Sequence, residues 1–76
     1  MILEIVTTEE TVYSGEVDIV IAPGVEGQLG ILPRHAPLLT AVSSGEIIAR
    51  NGSSEERIAV SGGFLEVSND RVTILA

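Results

Sequence analysis

Apolar and polar residues alternate along most of this chain. Val17, Ile19 and Ile21 are interleaved with Asp18 and Val20, and Ile58 and Val60 with Arg57, Ala59 and Ser61. Leu65 and Val67 are interleaved with Phe64, Glu66 and Ser68, and Val72 and Ile74 with Arg71 and Thr73. A period of two marks strands with one buried face, and the abundant β-branched residues suit strands. Turn signals punctuate the pattern at Ser14-Gly15, Pro23-Gly24, Ser44-Gly45, Asn51-Gly52, Gly62-Gly63 and Asn69-Asp70. Asn51-Gly52, followed by Ser53-Ser54, predicts a hairpin joining residues 47–50 to 57–60. Ser68-Asn69-Asp70 predicts a second tight turn, joining residues 64–67 to 72–75. No stretch of helical spacing escapes a glycine or proline break. The pattern predicts an all-β fold, an antiparallel β-sandwich or flattened barrel in one domain over residues 1–76.

Two places depart from simple alternation. Gly62-Gly63 reads as a bulge or strand crossing. It precedes Phe64, which falls on the face opposite Leu65 and Val67. Two roles fit that ring: contact with a partner, or cover for the edge of its own core. The other departure is Gly27-Gln28-Leu29-Gly30-Ile31-Leu32-Pro33-Arg34-His35-Ala36-Pro37-Leu38-Leu39-Thr40. It carries two glycines, two prolines and the only histidine among aliphatic residues. Glycine frees the backbone and proline fixes φ near −65°. An apolar loop stiffened in this way suits presentation to a partner more than catalysis.

Composition narrows the partners. The chain has 76 residues and a formal net charge of −7, with four arginines as its only Lys or Arg residues. An acidic surface repels phosphate backbones and anionic lipid headgroups. Only Tyr13 and Phe64 are aromatic, which leaves little to stack on bases. The charge suits a partner with a basic or polar face, or serves solubility alone. Without cysteine there is neither a disulfide framework nor a thiolate metal site. Nothing resembles a signal peptide at Met1-Ile2-Leu3-Glu4, and no apolar run reaches the roughly 18 residues of a membrane span.

Candidate chemistry is sparse. Ser61-Gly62-Gly63 lacks the G-x-S-x-G elbow and its strand-to-helix setting. His35 is the only base of its kind, and its ring can bond a backbone carbonyl of its own turn or face a partner. Glu9-Glu10 and Glu55-Glu56 sit beside turns and read as solvated charge. Gly24-Val25-Glu26-Gly27-Gln28-Leu29-Gly30 has the glycines of a phosphate loop but no lysine and no helix to follow. No metal-ligand spacing occurs and no cofactor is implied.

The run Gly27-x-Leu29-Gly30-Ile31-Leu32-Pro33-x-His35-Ala36-Pro37-Leu38-Leu39-Thr40, then Val60-Ser61-Gly62-Gly63-Phe64-Leu65-Glu66-Val67 and Val72-Thr73-Ile74-Leu75-Ala76, resembles the epsilon subunit of F-type ATP synthases. Val12-Tyr13-Ser14-Gly15-Glu16-Val17 fits the same family, so the resemblance spans essentially the whole chain. It implies a sandwich of about ten short strands. It also implies a non-catalytic rotor role in the central stalk, docking the gamma subunit to the c-ring and coupling proton-driven rotation to ATP synthesis. The domain would then lie peripheral to the energy-transducing membrane, on the cytoplasmic face in bacteria or the stromal face of thylakoids. The resemblance maps the c-ring contact onto Gln28, Leu29, Gly30, Ile31, Leu32, Pro33 and Arg34. Leu29, Ile31 and Leu32 would supply apolar contact, and Gly30 and Pro33 would hold the loop. Gln28 stands where relatives often carry an acid, so docking should lean on shape and depend mildly on salt. His35 and Thr7 map to the side facing gamma. Family members usually continue into a C-terminal helical hairpin that inhibits hydrolysis or binds ATP. This sequence is expected to lack both properties. The alternative is a β-sandwich adaptor with a different partner.

Overall fold

The computed structural model describes all 76 residues. It contains nine strands and no helix: β1 (Ile2–Val6), β2 (Thr11–Glu16), β3 (Ile19–Gly24), β4 (Gly27–Ile31), β5 (Leu38–Val42), β6 (Gly45–Asn51), β7 (Ser54–Val60), β8 (Gly63–Ser68) and β9 (Arg71–Leu75). Hydrogen-bonded neighbours follow the order β2-β1-β9-β8-β5-β3-β6-β7, with β4 on β3. The expected all-β sandwich is borne out, with nine strands in place of about ten.

The sheet folds over at one narrow joint. β5 meets β3 through the single pair Gly24↔Val42. Two backbone bonds reinforce it, Ser43 N–H to the Pro23 carbonyl at 2.7 Å and Val25 N–H to the Ala41 carbonyl at 3.3 Å. One leaf is therefore β2-β1-β9-β8-β5, and the other is β4-β3-β6-β7. Their inner faces share one core. Leu3, Ile5, Val42, Leu65, Val67, Val72 and Ile74 come from the first leaf. Val20, Ala22, Ile31, Ile47 and Ala49 come from the second, with Val17 between them. Burial of each Leu, Ile or Val side chain contributes about 1.5–3 kcal/mol.

The pairing is antiparallel with one exception. β1 and β9 run parallel, from Ile2↔Arg71 to Val6↔Leu75. This aligns Leu3 and Ile5 with Val72 and Ile74, so the two ends of the chain close one wall of the core.

Both predicted hairpins are present. Asn51↔Ser54 brackets a two-residue loop with Gly52 at φ 63°, the glycine-first pattern of a type II′ turn. Ser68↔Arg71 brackets Asn69 and Asp70, both left-handed at φ 51° and 58°, as a type I′ turn requires. No bulge interrupts the ladders at Gly63, which instead makes a close backbone approach to β9. It has φ 136°, and any side chain on it would collide with the Leu75 carbonyl. Alternation then continues without a slip, so Leu65 and Val67 point inward and Phe64 outward.

Three expectations are corrected. Ser14-Gly15 lies inside β2 rather than in a turn, because the ladder to β1 runs from Glu16 through Gly15 and Ser14. Pro23-Gly24 closes β3, and the turn itself is Val25-Glu26. In the third strand, Val17 is buried, but Val20 and Ala22 face the core while Ile19 and Ile21 are half-buried. The chain bends at Asp18, whose N–H donates to the Arg50 carbonyl at 2.6 Å, and the bend shifts the alternation by one residue.

Candidate docking surfaces

Residues 28–34 are not one loop. Gln28, Leu29, Gly30 and Ile31 belong to β4, which pairs with β3 through Pro23↔Gln28, Ala22↔Leu29, Ile21↔Gly30 and Val20↔Ile31. Glycine-rich sequence concealed this strand, because neither Gly27 nor Gly30 contributes to an apolar period. Side chains therefore alternate. Gln28 is exposed and Leu29 half-buried, and Ile31 is 1% exposed within the core. Ile31 cannot supply the apolar docking contact expected of it, because its side chain packs between the leaves. The turn proper begins at Leu32, which is 58% exposed.

Leu32, Pro33, Arg34 and His35 make a tight turn, with the His35 N–H donating to the Leu32 carbonyl at 3.2 Å. Pro33 supplies the fixed φ of the second position, and Arg34 takes the third at φ 66°. This is the type II pattern, in which the third position favours glycine. The Arg34 N–H donates to Asp70 Oδ1 at 2.9 Å, tying the turn to the β8–β9 turn. The His35 ring bonds a carbonyl of its own segment, Nδ1 to Ala36 O at 2.7 Å. Of the two roles open to that ring, this geometry serves the intramolecular one, and the residue is also exposed.

Thr7 lies elsewhere. Its hydroxyl accepts from the Glu9 and Glu10 amides, each at 3.2 Å, and donates to the Glu10 carbonyl. It thereby caps the β1–β2 turn. Thr7 follows Val6, which pairs with Leu75, whereas the His35 turn is tied to Asp70 at the start of β9. The length of β1 and β9, about 16 Å for five residues, separates them. The two residues expected to face gamma therefore form no common patch.

The outer face of the first leaf carries a surface that the sequence marked only in part. Leu39, Phe64 and Leu75 are 71%, 57% and 54% exposed on β5, β8 and β9. Phe64 lies directly opposite Leu75. Leu39 lies opposite Glu66, diagonal to Phe64 and within reach of its ring. Together with Glu66 and Thr73 they line a shallow cleft of about 240 Å³. Alternation flagged Phe64. Leu39 was missed because Leu38 and Leu39 are adjacent and equally apolar, so period alone does not say which points out.

The outer face of the second leaf carries a charged patch on β6 and β7, beside Ile19, Ile21 and Ile48. Arg50 Nε donates to Glu55 Oε1 at 2.9 Å across the β6–β7 ladder. Arg57 reaches the other Glu55 oxygen at 3.0 Å and Glu46 at 3.5 Å. Hydrogen bonding to Arg50 leads the causes that hold the Glu55 carboxyl below its ordinary range, with the nearby Arg57 and Arg50 charges adding to it against a partial loss of hydration.

Comparison with known proteins agrees with the fold. The ATP synthase delta/epsilon chain β-sandwich domain profile matches residues 1–76. The ATP synthase epsilon chain of Dehalococcoides mccartyi strain BAV1 is 58% identical over 74 residues, covering 97% of this chain and 53% of that one. The Herpetosiphon aurantiacus epsilon chain is 60% identical, covering 97% and 54%. This chain thus spans about half the length of these curated relatives. A chain in the mitochondrial ATP synthase OSCP/F1/c-ring structure of Euglena gracilis superposes with a TM-score of 0.93 at 23% identity, over 100% of this chain and 49% of that one. A chain in the central stalk/c-ring structure from Tetrahymena thermophila gives 0.82 at 15% identity, over 97% and 60%. At such identities these structures speak for the fold.

Proposed function

The chain belongs to the delta/epsilon-chain β-sandwich family of ATP synthases, and from that premise we propose that it is a non-catalytic rotor domain that docks gamma to the c-ring. A coupling domain needs two separate contact surfaces, and that requirement is what the geometry supports. The observation that carries the reading is that two different elements expose apolar side chains, Leu39, Phe64 and Leu75 on the outer sheet face and Leu32 in the turn. Apolar area of this kind, rimmed by Glu66 and Thr73, is a protein-contact surface in the making.

The apolar face, continuing to the Thr7 end through the Val6↔Leu75 pair, is assigned to gamma. Gln28, the β4 edge, Leu32, Pro33 and Arg34 are assigned to the ring. His35 sits beside the ring-facing turn and shapes it through its bond to Ala36 O. The domain then lies peripheral to the membrane and reaches it through the ring. One observation sharpens the ring contact: Gln28 supplies an amide rather than a charge, and Leu32 supplies apolar area. Binding should therefore weaken only mildly as salt rises.

Purified gamma and detergent-solubilised c-ring, offered separately to the folded domain, test the division. Leu32→Asp should cost ring binding and spare gamma. Leu39→Asp with Phe64→Glu should do the reverse. A folded variant that loses neither partner, or both together, sinks the two-surface reading.

A further inference from the structure

Only three residues other than glycine adopt a left-handed φ in this protein: Arg34 at 66°, Asn69 at 51° and Asp70 at 58°. Side chains pay for that conformation through the contact of Cβ with the backbone. All three lie in two turns, and a hydrogen bond joins those turns, from Arg34 N–H to Asp70 Oδ1 at 2.9 Å. Residues 34 and 70 are far apart in the chain, on a type II and a type I′ turn. In each they occupy a position where glycine would relieve the backbone.

This coincidence has a physical reading. A lone strained turn relaxes unless its surroundings hold it. The Pro33-Arg34 turn has only one internal backbone bond, His35 N–H to Leu32 O. Glycine at position 70 would make a better type I′ turn, but it would offer no carboxylate. We infer that Asp70 is a positioning residue, which clamps the Leu32–His35 turn in its docking conformation from a neighbouring hairpin.

Supporting detail comes from the rest of the carboxylate. Its Oδ2 lies 3.6 Å from the Met1 ammonium. The Arg34 amide, then that ammonium and the Arg34 charge, hold the Asp70 carboxyl below its ordinary range against some loss of hydration. The group therefore stays ionised, and a charged acceptor bonds more strongly than a neutral one. Asp70 touches no partner itself under this scheme. It acts through Arg34 and leaves the exposed Leu32 in place to make contact. The inference rests on the docking reading above for its functional consequence, but not for the clamp itself.

Asp70→Gly separates clamping from stability. Glycine suits the β8–β9 turn and offsets the lost carboxylate contacts, so the melting temperature should change little. Amide exchange at Arg34, followed by NMR, should accelerate about 5- to 10-fold as a half-exposed charged bond is lost. Binding to purified c-ring should weaken by a similar factor. Asp70→Asn keeps an acceptor oxygen and should fall between. Arg34→Gly removes the strain that the clamp opposes. In that background Asp70→Gly should leave turn mobility and ring binding unchanged, a rescue that a merely structural aspartate would not show. Unaltered Arg34 exchange in the folded Asp70→Gly variant overturns the clamp. A wild-type domain that does not bind the ring overturns the docking reading instead, and the exchange measurement still decides the clamp.

Discussion

The two outer faces of this sandwich are built on the same ladder geometry and carry patches of opposite chemistry. On β6 and β7, Glu46, Arg50, Glu55 and Arg57 neutralise one another across the strands. On β5, β8 and β9, Leu39, Phe64 and Leu75 stand exposed with no partner above them. The first face is complete in water. It also protects β7, a sheet edge, because charged side chains discourage further strand pairing. The second leaves apolar area wet, which costs free energy until something covers it. On the proposed reading, the first face is structural surface and the second is the interface.

The sharpest test lies in two consecutive residues of β8. Leu65 is fully buried and Phe64 points outward. Leu65→Ala removes core volume that neighbours cannot refill and should destabilise by about 2–4 kcal/mol, which endangers the fold of so small a protein. Phe64→Ala should change stability by no more than about 0.5 kcal/mol. Urea denaturation measures both. Comparable losses at the two positions would place the Phe64 ring in the core's service and remove the basis for an interface.

A charge swap across the faces comes next in size. Phe64→Glu with Leu39→Asp should weaken gamma binding by at least about 30-fold, the scale of an aromatic hot spot. Arg57→Leu with Glu46→Leu on the opposite face should leave that affinity within about 2-fold. Both variants should keep the wild-type circular dichroism spectrum. If the second pair of substitutions weakens binding as much as the first, the assignment of faces is wrong.

A third contrast runs along β4. Ile31→Asp places a carboxylate among Val20, Ile47 and their neighbours and should unfold the domain, because a buried unpaired charge has no compensation. Leu32→Asp, one residue later, should leave the thermal midpoint within about 2 °C. The pair shows where the strand ends and the exposed turn begins. Equal melting of the two variants would mean that Ile31 is not part of the core.

Much of this architecture was legible in the sequence because period two survives where strands are ordinary. The phase of β7, β8 and β9 followed from Ile58, Val60, Leu65, Val67, Val72 and Ile74, and both hairpins followed from their Asn-Gly and Asn-Asp turns. The phase of β3 was not legible, because the bend at Asp18 is made by a backbone bond to Arg50 from a strand far along the chain. β4 was hidden for another reason: glycines at 27 and 30 read as loop until their pairing with Gly24 and Ile21 is known. The Leu32–His35 turn was recognisable as rigid from Pro33 and from Pro37 just after it. Its tether to Asp70 joins residues 36 positions apart and leaves no local mark. The parallel β1–β9 pair is equally non-local, and alternation within a strand says nothing about its neighbour's direction.

The smallest effect concerns the charged face and its dependence on pH. Glu55 is held below its ordinary value of 4.5, chiefly by the hydrogen bond from Arg50. A carboxyl depressed in the folded state stabilises fully above its unfolded value and loses that contribution as pH falls through the folded one. Any stabilisation from Glu55 should therefore be constant above about pH 5.5 and decline below about pH 4.5. Because the pairs are exposed, solvent and salt screen them and the effect is slight. Glu55→Gln isolates it, since Asp70 titrates in both proteins over a neighbouring range. The melting temperature of wild type should exceed that of Glu55→Gln by about 1–2 °C at pH 7, and the gap should close on acidification and in high salt. A gap that widens toward low pH reverses the sign of the linkage and removes Glu55 as the centre of the ladder. The absence of any gap at pH 7 would mean that the hairpin is held by shape and backbone alone. The charged face would then differ from the apolar one in solubility rather than in stability.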